Sequence, residues 1–160
     1  MRVVPKRRRR ESRTDYGARL VMLKSSLPRI VVRKTNKHII ISAVESSEAQ
    51  DKVISGTTSR VLLENGWDRK YAGSLKSVPA AYLTGLLFAK KAGNGKFILD
   101  MGMARNVKGS RLFAAAKGLV DGGMQISVGE SVLPTEARIL GEHLKPEVKQ
   151  MIAKVRSKLE

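Results

Sequence analysis

Charge restricts how this chain can fold more than any other feature, because it is unevenly spread. Thirteen of the 31 Lys and Arg residues lie in the first 37 positions, with only two of the 14 acids, Glu11 and Asp15. That stretch carries +11 of a formal +17, and residues 38–160 carry the remaining +6. An apolar core cannot absorb such a segment. Unpaired cations are almost never fully buried, and their mutual repulsion is relieved by a polyanion. The run Lys6, Arg7, Arg8, Arg9, Arg10 adds guanidinium forks that match phosphate oxygens in pairs. The first 27 residues are therefore read as a basic arm outside the core, and the arm's chemistry points to nucleic acid.

Residues 28–145 are expected to hold the core domain, and 146–160 a carboxy-terminal amphipathic helix. The apolar fraction of 42% is ordinary for a globular protein, but aromatics make up only 4%. The core must then come mostly from Ile, Val, Leu, Ala and Met. With no cysteine, disulfides and thiolate metal sites are excluded, which suits a cytoplasmic protein. The charged amino end lacks the apolar stretch of a signal peptide. The longest nearly apolar run, Val78 to Ala89, is interrupted by Pro79, Thr84 and Gly85 and falls short of the roughly 20 residues that span a bilayer. Nor does the arm carry the apolar stripe of a helix that lies on a membrane.

Local patterns give an order of elements. Thr14 or Asp15 can cap a short helix through Tyr16, Leu20 and Leu23, and Pro28 forbids its continuation. Two β-branched runs, Ile30-Val31-Val32 and Ile39-Ile40-Ile41, flank the turn residues Thr35-Asn36-Lys37 and predict a hairpin over Arg29 to Ala43. A third strand is expected at Lys52–Thr57. Val61-Leu62-Leu63 suggests a helical turn that Asn65-Gly66-Trp67 ends, followed by a polar loop to Ser77. Pro79 opens a helix to about Lys91, with Gly93 beyond it. Phe97–Met101 reads as a strand buried on both faces. Leu112, Ala115, Ala116 and Leu119 form a helical stripe capped by Ser110 and closed by Gly122-Gly123. A short strand at Gln125–Val128 and a helix at Pro146–Leu159 complete the chain. Together these elements predict an α/β fold: a mixed sheet opened by an antiparallel hairpin, with helices packed on it. The helix within 102–124 is a right-handed crossover if its flanking strands are parallel.

Catalytic chemistry finds little support. Asn94-Gly95-Lys96 and Lys108-Gly109-Ser110 both lack the spacing of a phosphate loop. His38 and His143 are far apart and have no cysteine to complete a metal site. His38 adjoins the turn, within reach of a phosphate, and His143 reads as a local hydrogen-bonding residue. No acid pair or nucleophile elbow is evident. Gly109-Ser110 does open a helix between Lys108 and Arg111, a combination suited to backbone phosphate.

Five strings, in order and in register, carry a resemblance to a known family. They are Arg-Arg-Arg-Arg-Glu-Ser-Arg-Thr-Asp-Tyr at 7–16, Pro-Arg-Ile-Val-Val-Arg-Lys-Thr-Asn-Lys-His at 28–38, and Pro-Ala-Ala-Tyr-Leu-Thr-Gly at 79–85. Lys-Gly-Ser-Arg-Leu-Phe-Ala-Ala follows at 108–115 and Leu-Pro-Thr-Glu-Ala-Arg-Ile-Leu-Gly-Glu-His at 133–143. The chain resembles the archaeal-type large-subunit ribosomal proteins that are eighteenth in the bacterial numbering, the counterpart of the eukaryotic fifth. That family binds 5S ribosomal RNA. Relatives usually carry Arg where Gly17 stands, the stretch 124–132 departs from the family's wording, and the long carboxy-terminal extension of eukaryotic members is absent.

The resemblance implies a non-enzymatic constituent of the large ribosomal subunit that needs no cofactor and no small-molecule substrate. Its implied partners are 5S rRNA, the large-subunit rRNA and neighbouring ribosomal proteins, at the central protuberance. The implied RNA contacts are Lys6, Arg7, Arg8, Arg9, Arg10, Arg13, Thr14, Tyr16 and Arg19 in the arm. Arg33, Lys34, Asn36, Lys37 and His38 follow at the hairpin, then Lys108, Ser110 and Arg111. The arm is expected to order on binding RNA. A nucleic-acid-processing enzyme would need carboxylates in a cleft or a metal, and a DNA-compacting protein would need little beyond the arm.

Overall fold

The computed structural model describes residues 4–48 and 50–159. After two arm helices, α1 (Arg7–Arg10) and α2 (Tyr16–Lys24), come strands β1 (Arg29–Lys34), β2 (Ile39–Ser47) and β3 (Gln50–Thr58). Helix α3 (Val78–Ala92), strand β4 (Lys96–Asp100), helix α4 (Arg111–Asp121) and strand β5 (Gln125–Ile126) follow. Helices α5 (Glu136–Leu140) and α6 (Pro146–Leu159) close the chain. The sheet runs β3-β2-β1-β4-β5. β1 and β3 pair antiparallel with β2, whereas β4 lies parallel to both β1 and β5. This is the mixed α/β sheet expected from the sequence, and α4 joins two parallel strands.

Alternation along the strands divides the sheet into two unlike faces. Ile30 and Val32 of β1 and Ile39, Ile41 and Ala43 of β2 point to the inner face and are buried. Helices α3 and α4 pack there, and α6 lies against α3. Helix α3 is buried almost all round, as its nearly unbroken apolar sequence requires. Its start is fixed by Ser77, whose Oγ accepts a hydrogen bond from the Ala80 amide (3.4 Å), and by Pro79 in the first turn. Buried Thr84 satisfies its hydroxyl by donating to the Ala80 carbonyl one turn back (2.6 Å). α3 and α4 approach closely where two glycines meet backbone. A Cβ on Gly85 would strike the carbonyl of Ala115, and one on Gly118 that of Tyr82. Met151, Ile152, Val155 and Leu159 of α6 join the same buried cluster.

Three expectations change. The helical turn expected at Val61-Leu62-Leu63 is present, within the 3-10 segment Ser59–Leu63. The stretch beyond it is not the expected polar loop, but forms a second 3-10 segment, Arg69–Ser74, and buries Trp67 and Leu75. Trp67 donates its indole N–H to the Tyr71 carbonyl (3.1 Å), so one large ring organises a segment with no helical period. The β4 strand is not buried on both faces. Phe97, Ile98 and Leu99 are only half-buried, because helices cover the inner face alone. The last strand is shorter than expected, ending at Ile126. β3 forms one sheet edge and leaves Val53 and Ile54 exposed beside a register shift at Ala43/Val44.

Candidate RNA interface

The outer face of the sheet is organised by charge. Arg29 is only 3% exposed, a position an unpaired cation could not hold. Its guanidinium donates to Asp100 on β4 (2.8 Å), and to Asp51 (2.8 Å) and Ser46 (3.1 Å) at the end of the β2–β3 hairpin. Arg33 donates to the other oxygen of Asp100 (2.8 Å) and to the Asp100 carbonyl (2.6 Å). Arg19 of α2 reaches the free oxygen of Asp51 (2.8 Å). Three arginines and two carboxylates thus alternate across β1, β3, β4 and the arm helix. Burial alone would raise the pKa of Asp51. Hydrogen bonds from Ser46, Arg19 and Arg29, with the charge of Arg29, overcome it and hold the carboxyl below its ordinary value.

This network seats the arm helix on the sheet. Asp15 caps α2 by accepting from the amides of Gly17 (2.9 Å) and Ala18 (3.2 Å), which selects it over Thr14. Thr14 instead accepts from Arg8 Nε (2.9 Å). The arginine run itself forms one turn of helix, α1, exposed on every side. Lys6 lies 4.9 Å from the centre of the Tyr16 ring. Glu11 faces Arg7 (3.7 Å) and Arg13 (3.4 Å), both exposed pairs that salt weakens. Arg9 and Arg10 have no ion pair among the described residues.

At the hairpin, Thr35 shapes the turn by accepting from the His38 amide (2.9 Å) and donating to the His38 carbonyl (2.9 Å). Lys34, Asn36 and Lys37 stand exposed around it. The His38 imidazole accepts from Arg60 Nε (2.9 Å). Burial first, then the charges of Arg60 and Lys37, lower its pKa, so His38 is neutral at pH 7. Arg60, which the sequence did not single out, brings the cation to this corner.

Arm, hairpin and the start of α4 meet at a cleft of about 890 Å³. It is lined by Arg13 from the arm, Arg33 and Lys34 from β1, and Ser110 and Arg111 from α4. Arg105, Arg138 and His143 also line it, and sequence reasoning assigned none of them to RNA. Their segments are ordinary when taken alone, and only the tertiary fold brings them together. Among the described residues, no Asp or Glu lines the cleft. Gly102, at φ +61, permits the approach of Arg33, whose guanidinium carbon a Cβ there would meet at 2.9 Å. Ser110 occupies the cap position of α4 but makes no capping bond. Its Oγ is buried without a partner, which corrects the expected cap. Lys108 stands exposed beside the cleft. No cluster of potential metal ligands occurs among the described residues, and none of their helices is long and apolar enough to cross a membrane.

A basic α/β domain with an arm seated on its sheet is the class that fold and surface define. The model of the family described as ribosomal large subunit proteins 60S L5 and 50S L18 matches residues 2–96 and 91–129. A protein of Methanoregula boonei named large ribosomal subunit protein uL18 is 50% identical over 141 residues, covering 86% of this chain and 79% of its own. Namesakes from Methanoculleus marisnigri and Korarchaeum cryptofilum are 49% and 48% identical, over 88% and 86% of this chain and 80% and 70% of their own. The chain belongs to this ribosomal protein family.

Proposed function

We propose that this protein binds 5S rRNA and helps attach it to the large-subunit rRNA in the central protuberance. As a member of its family it is a structural constituent of the large ribosomal subunit in the cytoplasm, and not an enzyme. The observation that carries the finer reading is the convergence of arm, hairpin and α4 on one carboxylate-free cationic cleft. A-form RNA hides its base edges in a deep groove, so such a surface is suited to phosphates, 2′-hydroxyls and unstacked loops. Lys6, the Arg7–Arg10 turn, Arg13, Lys34, Lys37, Lys108 and Arg111 supply phosphate contacts. Arg19 and Arg33 hold the framework through Asp51 and Asp100, and Arg33 also lines the cleft. Exposed Leu20, Val21, Val53 and Ile54 offer apolar area to neighbouring ribosomal proteins.

The test is 5S rRNA affinity across a salt series for the native chain and for a variant with Arg7, Arg8, Arg9 and Arg10 all changed to Gln. Substitution is preferred to removing the arm, because Arg19 of α2 also pairs with Asp51 of the sheet. Every phosphate that the variant no longer neutralises should lower the salt slope by about 0.7–0.9. An unchanged slope and affinity would remove the arm from the interface.

A further inference from the structure

We infer that the cleft between the arm, the end of β1 and the start of α4 receives an unstacked RNA nucleotide, rather than only lying against backbone phosphates. The inference rests on the RNA-binding reading and adds the chemical nature of what enters the cleft.

Two independent features converge on it. Met103, Val107 and Leu144 are large apolar side chains left 53%, 55% and 36% exposed, and all three line this cleft. Buried Leu112 lines it as well. Apolar surface of this kind serves a phosphate poorly, but it suits the face of a base, and methionine sulfur makes favourable contacts with aromatic rings. Charge is the second. Arg13, Lys34, Arg105, Arg111 and Arg138 line the same cleft, and no described carboxylate does.

Exposed apolar side chains and unopposed cations in one cleft together match one chemical unit, a π-faced base carrying phosphates on both sides. An apolar protein side chain would leave the cations unneutralised, and a duplex phosphate would leave the apolar side chains in water. Arginine planes lining the cleft can stack on the base. The volume, about 890 Å³, lies within the range of small-ligand sites. The nucleotide could belong to 5S rRNA or to the large-subunit rRNA, since both offer the same chemistry.

Base-specific reagents that modify the Watson–Crick edges of unpaired bases would test this. The full-length chain would be bound in turn to 5S rRNA and to large-subunit rRNA. Native protein, Met103→Glu and Val107→Glu would be compared, with circular dichroism to check folding. Because Met103 and Val107 are exposed, their replacement should leave the fold intact. The expected result is one unpaired base, in one of the two RNAs, that native protein protects. That base should become reactive again in Met103→Glu and Val107→Glu, and affinity should fall by about tenfold. A footprint confined to backbone positions, or identical in native and variant complexes, would overturn the inference while leaving RNA binding in place. Failure of the native chain to bind either RNA would overturn the RNA reading itself, and this inference with it.

Discussion

The two faces of the sheet are built from different forces. On the inner face, β-branched strand residues meet α3 and α4 through apolar contact, and Phe88, Leu83 and Leu119 are wholly shielded. On the outer face, Arg29 is buried to nearly the same degree, but alternating charges hold it, running from Arg19 through Asp51 and Asp100 to Arg33. The first kind of burial is tolerant, because any well-shaped apolar group contributes. The second kind depends on every partner being present, since a lone buried charge has nothing to compensate its missing hydration. The protein thus places its forgiving layer where helices pack and its exacting layer where the arm is seated.

Removing one partner from the exacting layer should have the largest effect. Asp100→Ala leaves buried Arg29 with Asp51 as its remaining carboxylate and frees Arg33, and equilibrium unfolding in urea should show a loss of about 3–4 kcal/mol. A loss below about 1 kcal/mol would mean the network is incidental to the fold. In the forgiving layer, Leu83→Ala should cost about 3 kcal/mol by the same measurement, as a cavity partly closed by its neighbours. The cost of Arg19→Ala should be smaller, about 0.5–1 kcal/mol, because that pair is partly exposed. Its signature is local: amide exchange should quicken in Tyr16–Lys24 while the core strands stay protected.

Acid sharpens the comparison most gently. Asp51 titrates below its ordinary value of 3.8, so its contribution is complete above that value and is lost as pH falls through the lower folded value. Amide exchange of α2 measured down through this range should rise before that of α3. Simultaneous loosening of both helices would contradict a separately seated arm.

How much of this could be read from the sequence follows the same division. The β1–β2 hairpin, α3, α4 and α6 were legible because each rests on local periodicity and nearby caps. Residues 64–77 were not, because their order comes from Trp67 reaching the core rather than from any repeat. The outer network was invisible as well. Residues 19, 29, 33, 51 and 100 are distant in sequence, and each alone is an ordinary surface charge. Among candidate RNA contacts, the arm and turn could be proposed from charge and family resemblance. Arg105, Arg138 and His143 could not, because two segments distant in sequence, around 105 and around 138–143, deliver them to one cleft.

Selectivity is the most direct test of the central claim, that a folded surface and not charge alone recognises the RNA. Binding to 5S rRNA would be measured across rising salt against two competitors, a DNA duplex and an unrelated structured RNA. The account expects a preference for 5S rRNA that persists at high salt, where purely electrostatic binding is weakened. Equal affinity for all three, falling together as salt rises, would contradict it.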